Sequence, residues 1–307
     1  MDDRFYRTKK KLVKSGSLLE VYNFGNDILL GPRYKKSKSE IEEELDSKYP
    51  KPKASSEELL NKSARRAKRT IRRLIKANSF YWYKPNGMSY LPITITLTFK
   101  ENIQDIKQAN YEFTKFIRRL NYEANKIIIK NLKESNLKYI AVFEKQKRGA
   151  IHYHCIFFNL PYIENIYDKM RDIWGQGMIN VGGTKKGLNK IKDQDKLNKI
   201  IDYFIKYIQK SFFDNNYKSK KKYQTSKGLI KPKTTNTEEL VNLIMNKVDE
   251  KYLKYKKDGE QEYYDQDIFE TIGKPKNYLR WVNYFQYDLS SNSSLNDEID
   301  EILEQYS

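Results

Sequence analysis

The middle of this 307-residue sequence predicts an α+β fold, an antiparallel sheet of ferredoxin-like or RRM-like type with packed helices and helical flanking segments. Three observations carry that prediction. Ile93, Ile95, Leu97 and Phe99 alternate with Thr94, Thr96 and Thr98, the period-two pattern of a half-buried strand. Gln146-Lys147-Arg148-Gly149 separates two apolar runs as a hairpin turn, which makes the strands on either side antiparallel. Strand and helix periods then follow in the order strand, helix, strand, strand, helix, strand, helix, with the helices returning across one face.

Taken in chain order, residues 1–54 are charged and interrupted by Gly16, Gly25, Gly31, Pro32, Pro50 and Pro52, and read as an irregular basic arm with short apolar pieces such as LLEVYNF. Residues 55–88 form a basic helix segment. Ser55 and Glu58 make a capping box, and Ala64, Ala67, Ile71, Leu74 and Ile75 mark one side of a helix reaching about Lys76. Its other side carries Lys62, Arg65, Arg66, Lys68, Arg69, Arg72, Arg73 and Lys76, either a solvated face or a face for phosphate.

Residues 89–213 hold the predicted sheet domain. A helix follows the first strand from about Ile103 to Lys130, strands run over Tyr139–Glu144 and Ala150–Phe158, and a helix spans about Ile163–Trp174. A short strand, MINV, and a Gly182-Gly183 turn lead to a last helix over about Asp195–Phe212. Residues 214–234 read as a lysine-rich linker, and residues 235–307 as a partly helical C-terminal region whose last stretch is acidic.

The charge balance narrows the partner. Lys and Arg number 59 against 40 Asp and Glu, a formal charge of +19, so a polyanion such as nucleic acid is favoured. The single Cys155 cannot form an internal disulfide, the N-terminal MDDRFYRTKKK lacks a signal-peptide core, and no stretch is apolar enough to span a bilayer. A cytoplasmic protein without membrane partners is expected. GGTKKG is the nearest string to a phosphate-binding loop and lacks its spacing, so no ATP use is expected.

The only two histidines, His152 and His154, lie two apart in the strand AIHYHCIFF and therefore share one face. With the hairpin turning around Arg148, Glu144 falls opposite His152, and a carboxylate joins two imidazoles as candidate metal ligands. Read alone, the pair could equally be two exposed strand histidines. In the last helix, IIDYFIKYIQK, Tyr203 and Tyr207 share a face with Lys206 and Lys210, giving tandem YxxK units. Taken alone, a Tyr and Lys pair in such a Tyr-rich helix is more often core packing and snorkelling than chemistry.

The TLTF strand, the E-x-Q-x-R-G-x-x-H-Y-H hairpin from Glu144 to His154 and the Tyr/Lys helix occur in the order that resembles the HUH endonucleases, the rolling-circle replication initiators of phages and plasmids. The resemblance covers about residues 90–212 and extends to IWGQGMINV and YFIKYIQK. It implies a nickase acting on single-stranded origin DNA in a bacterial host cell. His152, His154 and Glu144 would bind Mg²⁺ or Mn²⁺, although imidazole ligands by themselves favour zinc or a later transition metal. Tyr207, and Tyr203 after it, would attack phosphorus with Lys206 and Lys210 assisting, leaving a 5′-phosphotyrosyl link and a free 3′-hydroxyl. Arg65, Arg66, Arg69, Arg72, Arg73, Lys76 and Arg148 would contact DNA, and a host helicase and polymerase would complete replication. A non-catalytic nucleic-acid-binding protein, and a relaxase or transposase of the same superfamily, are the alternatives.

Overall fold

The computed structural model describes residues 6–30, 56–128, 136–182, 191–213, 223–263 and 278–306. They divide into two compact units, one of residues 57–231 and one of residues 1–56 with 232–307.

In the unit of residues 57–231, α1 (Ser56–Asn78), β3 (Ile93–Thr98), α2 (Ile106–Ile128), β4 (Tyr139–Lys145), β5 (Ile151–Phe157), α3 (Ile166–Trp174), β6 (Ile179–Val181), α4 (Gln194–Phe213) and β7 (Tyr223–Thr225) follow in sequence. The sheet order is β6-β3-β5-β4-β7, and every adjacent pair is antiparallel. The register sets Glu144 opposite His152 on one side of β5, and Thr98 opposite His152 and Thr96 opposite His154 on the other.

Alternation assigns the two faces. Ile93, Ile95, Leu97, Phe143, Tyr153, Cys155 and Phe157 turn to one side, where Ala109, Phe113, Phe116 and Leu120 of α2 and Met170 and Trp174 of α3 bury them. Each large side chain so buried contributes about 1.5–3 kcal/mol relative to exposure. Ile140, Val142, Ile156 and Phe158 turn to the other side, against Ile71 and Ile75 of α1 and Leu197, Ile201, Phe204 and Ile208 of α4. Helices therefore cover both faces rather than the one expected. The cause is legible in β4 and β5, whose runs IAVF and CIFF are apolar at odd and even positions alike and require a second cover. That cover is what delivers α4, and its tyrosines, to the histidine face.

The other unit is a second antiparallel sheet, β8-β1-β2-β10-β9, built from β1 (Tyr6–Ser15), β2 (Leu18–Leu30), β8 (Lys233–Thr235), β9 (Leu253–Tyr263) and β10 (Tyr278–Asp288). Leu12, Leu19 and Val21 pack against α5 (Glu238–Met245) and α6 (Ser293–Gln305).

Two expectations are corrected here, and a third is extended. The irregular arm of residues 1–54 contains two long strands: LLEVYNF opens β2, which pairs with β1 across the Gly16-Ser17 turn and with β10 more than 250 residues away. The linker of residues 214–234 contributes β7 and most of β8 to two sheets. The C-terminal region is strand as well as helix, with Tyr, Trp, Val and Phe of β10 supplying strand propensity. The acidic tail folds onto basic side chains: Lys233 Nζ donates to Asp300 Oδ1 at 2.6 Å and Glu304 Oε1 at 2.7 Å, and Lys14 also pairs with Asp300. Ser55 of the capping box and Gly183 lie outside the described residues.

One glycine bears directly on the site. Beyond the ends of β3 and β6 the two chains stay paired through Thr98 N to Met178 O at 2.8 Å and Lys100 N to Gln176 O at 2.7 Å. Gly177 lies between, at φ +152°, where a Cβ would fall 2.4 Å from Thr98 O and 2.5 Å from Lys100 N. Both obstacles are backbone and cannot rotate away. Gly177→Ala is expected to destabilise the protein by about 2–3 kcal/mol and to displace Thr98. Urea denaturation of the variant with an unchanged midpoint would contradict this.

Candidate metal and tyrosine site

The polar edge of the sheet is where β3, β4 and β5 each present short or ionisable side chains on the α4 side. His154 is 3 % exposed, with its two ring nitrogens engaged on opposite sides. Nε2 lies 3.3 Å from Glu144 Oε2, while Nδ1 lies 3.0 Å from the Tyr203 hydroxyl and 3.3 Å from Thr96 Oγ1. One tautomer satisfies all three contacts, with the proton on Nε2 toward Glu144 and Nδ1 accepting from the hydroxyls. His152 Nε2 meets Thr98 Oγ1, and the two imidazole centroids are 5.2 Å apart.

Electrostatics keep the cluster ready for a cation. Burial, then the neighbouring His154, push His152 down to about 4, and Arg148 adds to this while Glu144 opposes it. His152 is therefore a neutral imidazole with a lone pair to give at pH 7. Burial by itself would raise the Glu144 carboxyl, but hydrogen bonds from His154 and Lys210 outweigh it and hold the group below its ordinary value. Lys210 Nζ donates to Glu144 Oε1 at 2.7 Å. Glu144, His152 and His154 each offer a ligand atom, all within 4.8 Å of one another. Two imidazoles and an ionised carboxylate fit a divalent ion, and three protein ligands leave positions open to substrate oxygens.

A pH dependence follows. Unfolded His152 titrates near the ordinary histidine value of about 6.5 and the folded residue near 4, so the unfolded chain takes up a proton first as pH falls. The stability associated with keeping His152 neutral is complete above 6.5 and is lost progressively as pH drops through that window to about 4. In EDTA, denaturation midpoints are expected to fall between pH 7 and 5, and His152→Gln should flatten that slope. An equal slope in the variant would remove His152 as its source.

From α4, Tyr203 and Tyr207 reach over the histidines. Tyr207 stacks on His154 with centroids 3.9 Å apart and rings at 22°, and Tyr203 meets His154 edge-on at 5.1 Å. The two tyrosine rings are 4.6 Å apart, and Lys210 Nζ sits 5.3 Å from the Tyr207 centroid. Burial raises the Tyr203 phenol well above its ordinary value, and a hydrogen bond with Tyr207 adds to this. An open basin of about 780 Å³ gathers Glu144, His152, His154, both tyrosines and Lys210, with Asn180 and the Lys145–Arg148 turn at its rim.

Not every expected residue arrives there. Lys206 is exposed and does not line the basin. At 100° per residue Lys210 lies about 20° from the direction of Tyr203, and Lys206 about 60°. Lys76 is 6 % exposed and donates to Gln194 Oε1 at 2.9 Å, so its assignment to the DNA-contacting face is withdrawn; it sits where α1 meets the start of α4. Arg148 bonds the carbonyls of Phe99 and Lys100, tying the hairpin turn to the end of β3 while it borders the basin. Arg65, Arg66 and Arg69 are exposed, Arg72 and Arg73 are half-buried, and Arg72 lies 3.7 Å from Asp202. Asn180 was missed, although alternation in Ile179-Asn180-Val181 points it to the histidine side.

A ferredoxin-like antiparallel sheet with a His-x-His strand, a carboxylate on the paired strand and a tyrosine-bearing helix across them makes this an HUH endonuclease-like fold. Residues 92–212, from the start of β3 to the last turn of α4, match the family model of replication-associated proteins of the ORF2 and gene-2-protein type. That match is consistent with a rolling-circle replication initiator and supports a replication-associated, DNA-binding function for the segment that contains the basin. No curated protein and no solved structure matches the chain. Among the described residues, no helix is long and apolar enough to cross a membrane.

Proposed function

We propose that the protein initiates rolling-circle replication as a metal-dependent DNA endonuclease and strand transferase. The observation that carries the reading is the convergence of Glu144, His152 and His154 beneath Tyr203 and Tyr207 in the segment related to replication proteins. A divalent ion, Mg²⁺ or Mn²⁺, held by the three ligands would supply Lewis-acid polarisation of the scissile phosphate. Thr98 and Thr96 orient the imidazoles, and Lys210 stands beside both Glu144 and Tyr207, where an ammonium offsets developing negative charge.

In the cleavage step the phenol oxygen forms a bond to phosphorus as the bond to the 3′ oxygen breaks. The phenolic proton leaves, a proton completes the released 3′-hydroxyl, and the 5′ phosphate remains on tyrosine. The phosphodiester energy is retained in that link, so a 3′-hydroxyl can reverse the step without ATP. Tyr207 attacks first in this scheme. Its ring is placed by stacking between His154 and Lys210, whereas Tyr203 is tied to His154 Nδ1 and burial raises its phenol above the ordinary value. Tyr203 then serves the second cleavage. Exposed Arg65, Arg66 and Arg69, with Arg72 and Arg73, lead DNA along α1, which packs beside α4. A host helicase opens the duplex and a host polymerase extends the 3′-hydroxyl.

Labelled single-stranded oligonucleotides tiled across the protein's own replicon test this. With Mn²⁺ or Mg²⁺ one tile is expected to yield a protein-linked band that survives denaturation, and EDTA should abolish it. Tight binding without adduct or cut product under any metal would instead favour a nucleic-acid-binding module.

A further inference from the structure

The helix on the far side of the sheet contains a local repeat. Tyr111-Glu112-Phe113-Thr114-Lys115 and Tyr122-Glu123-Ala124-Asn125-Lys126 are both YExxK, eleven residues apart. The structure builds the same arrangement twice. Lys115 Nζ lies 4.8 Å from the Tyr111 centroid and 3.1 Å from Glu112, and Lys126 Nζ lies 4.3 Å from the Tyr122 centroid and 2.7 Å from Glu123. Each carboxylate anchors a lysine, and each lysine covers one side of a tyrosine ring. The rings nevertheless remain 62 % and 65 % exposed. Eleven residues make three helical turns with about 20° left over, which places both tyrosines on one line about 16 Å apart.

Arg118 lies between them, about 20–40° from their line, and Arg119, about 60–80° to one side, donates from Nη1 to Ile173 O at 3.2 Å; both are exposed, and with Tyr122, Glu123 and Ile173 they line a groove of about 410 Å³. The stripe thus presents four cations against two carboxylates that are already paired with lysines. A protein interface would be expected to gather apolar neighbours around such rings and deplete lysine at its centre. Exposed aromatic faces alternating with cations are instead the chemistry that takes a flexible polyanion with stackable bases.

We propose that the outer face of α2 is a second single-stranded DNA site, in which Tyr111 and Tyr122 each stack a base and Arg118 and Arg119 hold the phosphates between. The span corresponds to about three to five nucleotides. Because α2 packs on the Tyr153 side of the sheet and His152 and His154 face the other side, this site holds a stretch of strand other than the one being cut. It rests on the DNA-binding part of the reading above and not on its cleavage chemistry.

The test measures binding of the full-length protein to fluorescent oligo-dT of about 30 nucleotides, long enough to occupy more than one site. Tyr111→Ser with Tyr122→Ser should weaken binding about tenfold or more, and Tyr111→Trp with Tyr122→Trp should restore it. Arg118→Gln with Arg119→Gln should reduce the slope of log affinity against log salt by about 1.4. An Arg65→Gln, Arg69→Gln protein serves as the control on the catalytic side. If it loses affinity while the α2 variants do not, the second site is overturned and the cleavage reading stands. If the native protein fails to bind oligo-dT, the DNA-binding premise of both falls. Sedimentation showing that the tyrosine variants dissociate a dimer, with DNA affinity unchanged, would assign the stripe to a protein contact and overturn the proposal.

Discussion

A Tyr203→Phe, Tyr207→Phe protein is expected to bind origin DNA normally and to form no covalent adduct, a loss of more than about 10⁴-fold in cleavage. Removing a nucleophile removes a step for which the site has no substitute, whereas removing one hydroxyl from a packed ring leaves the packing in place. Both rings would still lie against His154, which Tyr207 stacks at 3.9 Å, while the Tyr203 hydrogen bonds to Nδ1, Tyr207 and Thr96 would be lost. The structural cost of each such bond is about 1 kcal/mol, too little to unfold a domain. Of the single variants, Tyr207→Phe should lose the first cleavage, while Tyr203→Phe should retain it and fail at re-closure. Denaturing gels of single-turnover reactions read both. A double variant that still forms full adduct would transfer the nucleophile elsewhere, and a Tyr207→Phe protein with wild-type first cleavage would reverse the order of the two tyrosines.

Removal of the candidate ion ligands is the second large effect expected. Glu144→Gln and His152→Ala should each weaken Mn²⁺ binding by more than about 100-fold, since changes to residues that merely orient ligands already cost 10–100-fold. The two differ in their side effects. Glu144 also anchors Lys210 at 2.7 Å, so Glu144→Gln releases the ammonium that stands beside Tyr207. His152→Ala leaves Lys210 in place. Calorimetric titration with Mn²⁺, followed by cleavage over a range of metal concentrations, separates them. Excess metal should rescue part of the His152→Ala activity and less of the Glu144→Gln activity. His154→Ala is the less informative variant, because a 3 % exposed ring stacked under Tyr207 is also part of the packing. Full metal affinity in both of the first two variants would dissociate the cluster from ion binding.

Much of this site could be read along the chain because its parts are local. The His152/His154 pair needs only strand alternation, and the Glu144 to His152 register needs only a short hairpin whose turn fixes the pairing. Tyr203, Tyr207 and Lys210 need only helical periodicity. Lys206 failed for a reason of the same scale: three residues from Tyr203 is a helical neighbour, yet it points about 60° away from the basin. Lys76 looked like its basic neighbours because charge pattern does not report which residue lies where a helix packs on another. The strands at residues 6–30 and 278–288 were less legible: a short turn at Gly16-Ser17 joins β1 to β2, but the pairing of β2 with β10 spans most of the chain and has no local turn to signal it.

The sequence by itself determined the secondary-structure order of residues 93–213, the face shared by the two histidines and the identity of the candidate ligands and nucleophiles, because each depends on periods of two or 3.6 residues and on one hairpin. The tertiary structure decided what those periods cannot encode. It covered the apolar second face of β4 and β5 with α1 and α4, and so set Tyr203 and Tyr207 over His154. It also joined the two ends of the chain in one sheet and brought the acidic tail to Lys14 and Lys233. The physical reason is the same in each case: burial of apolar surface is non-directional, so the choice of which element covers which face is made only when the whole chain packs.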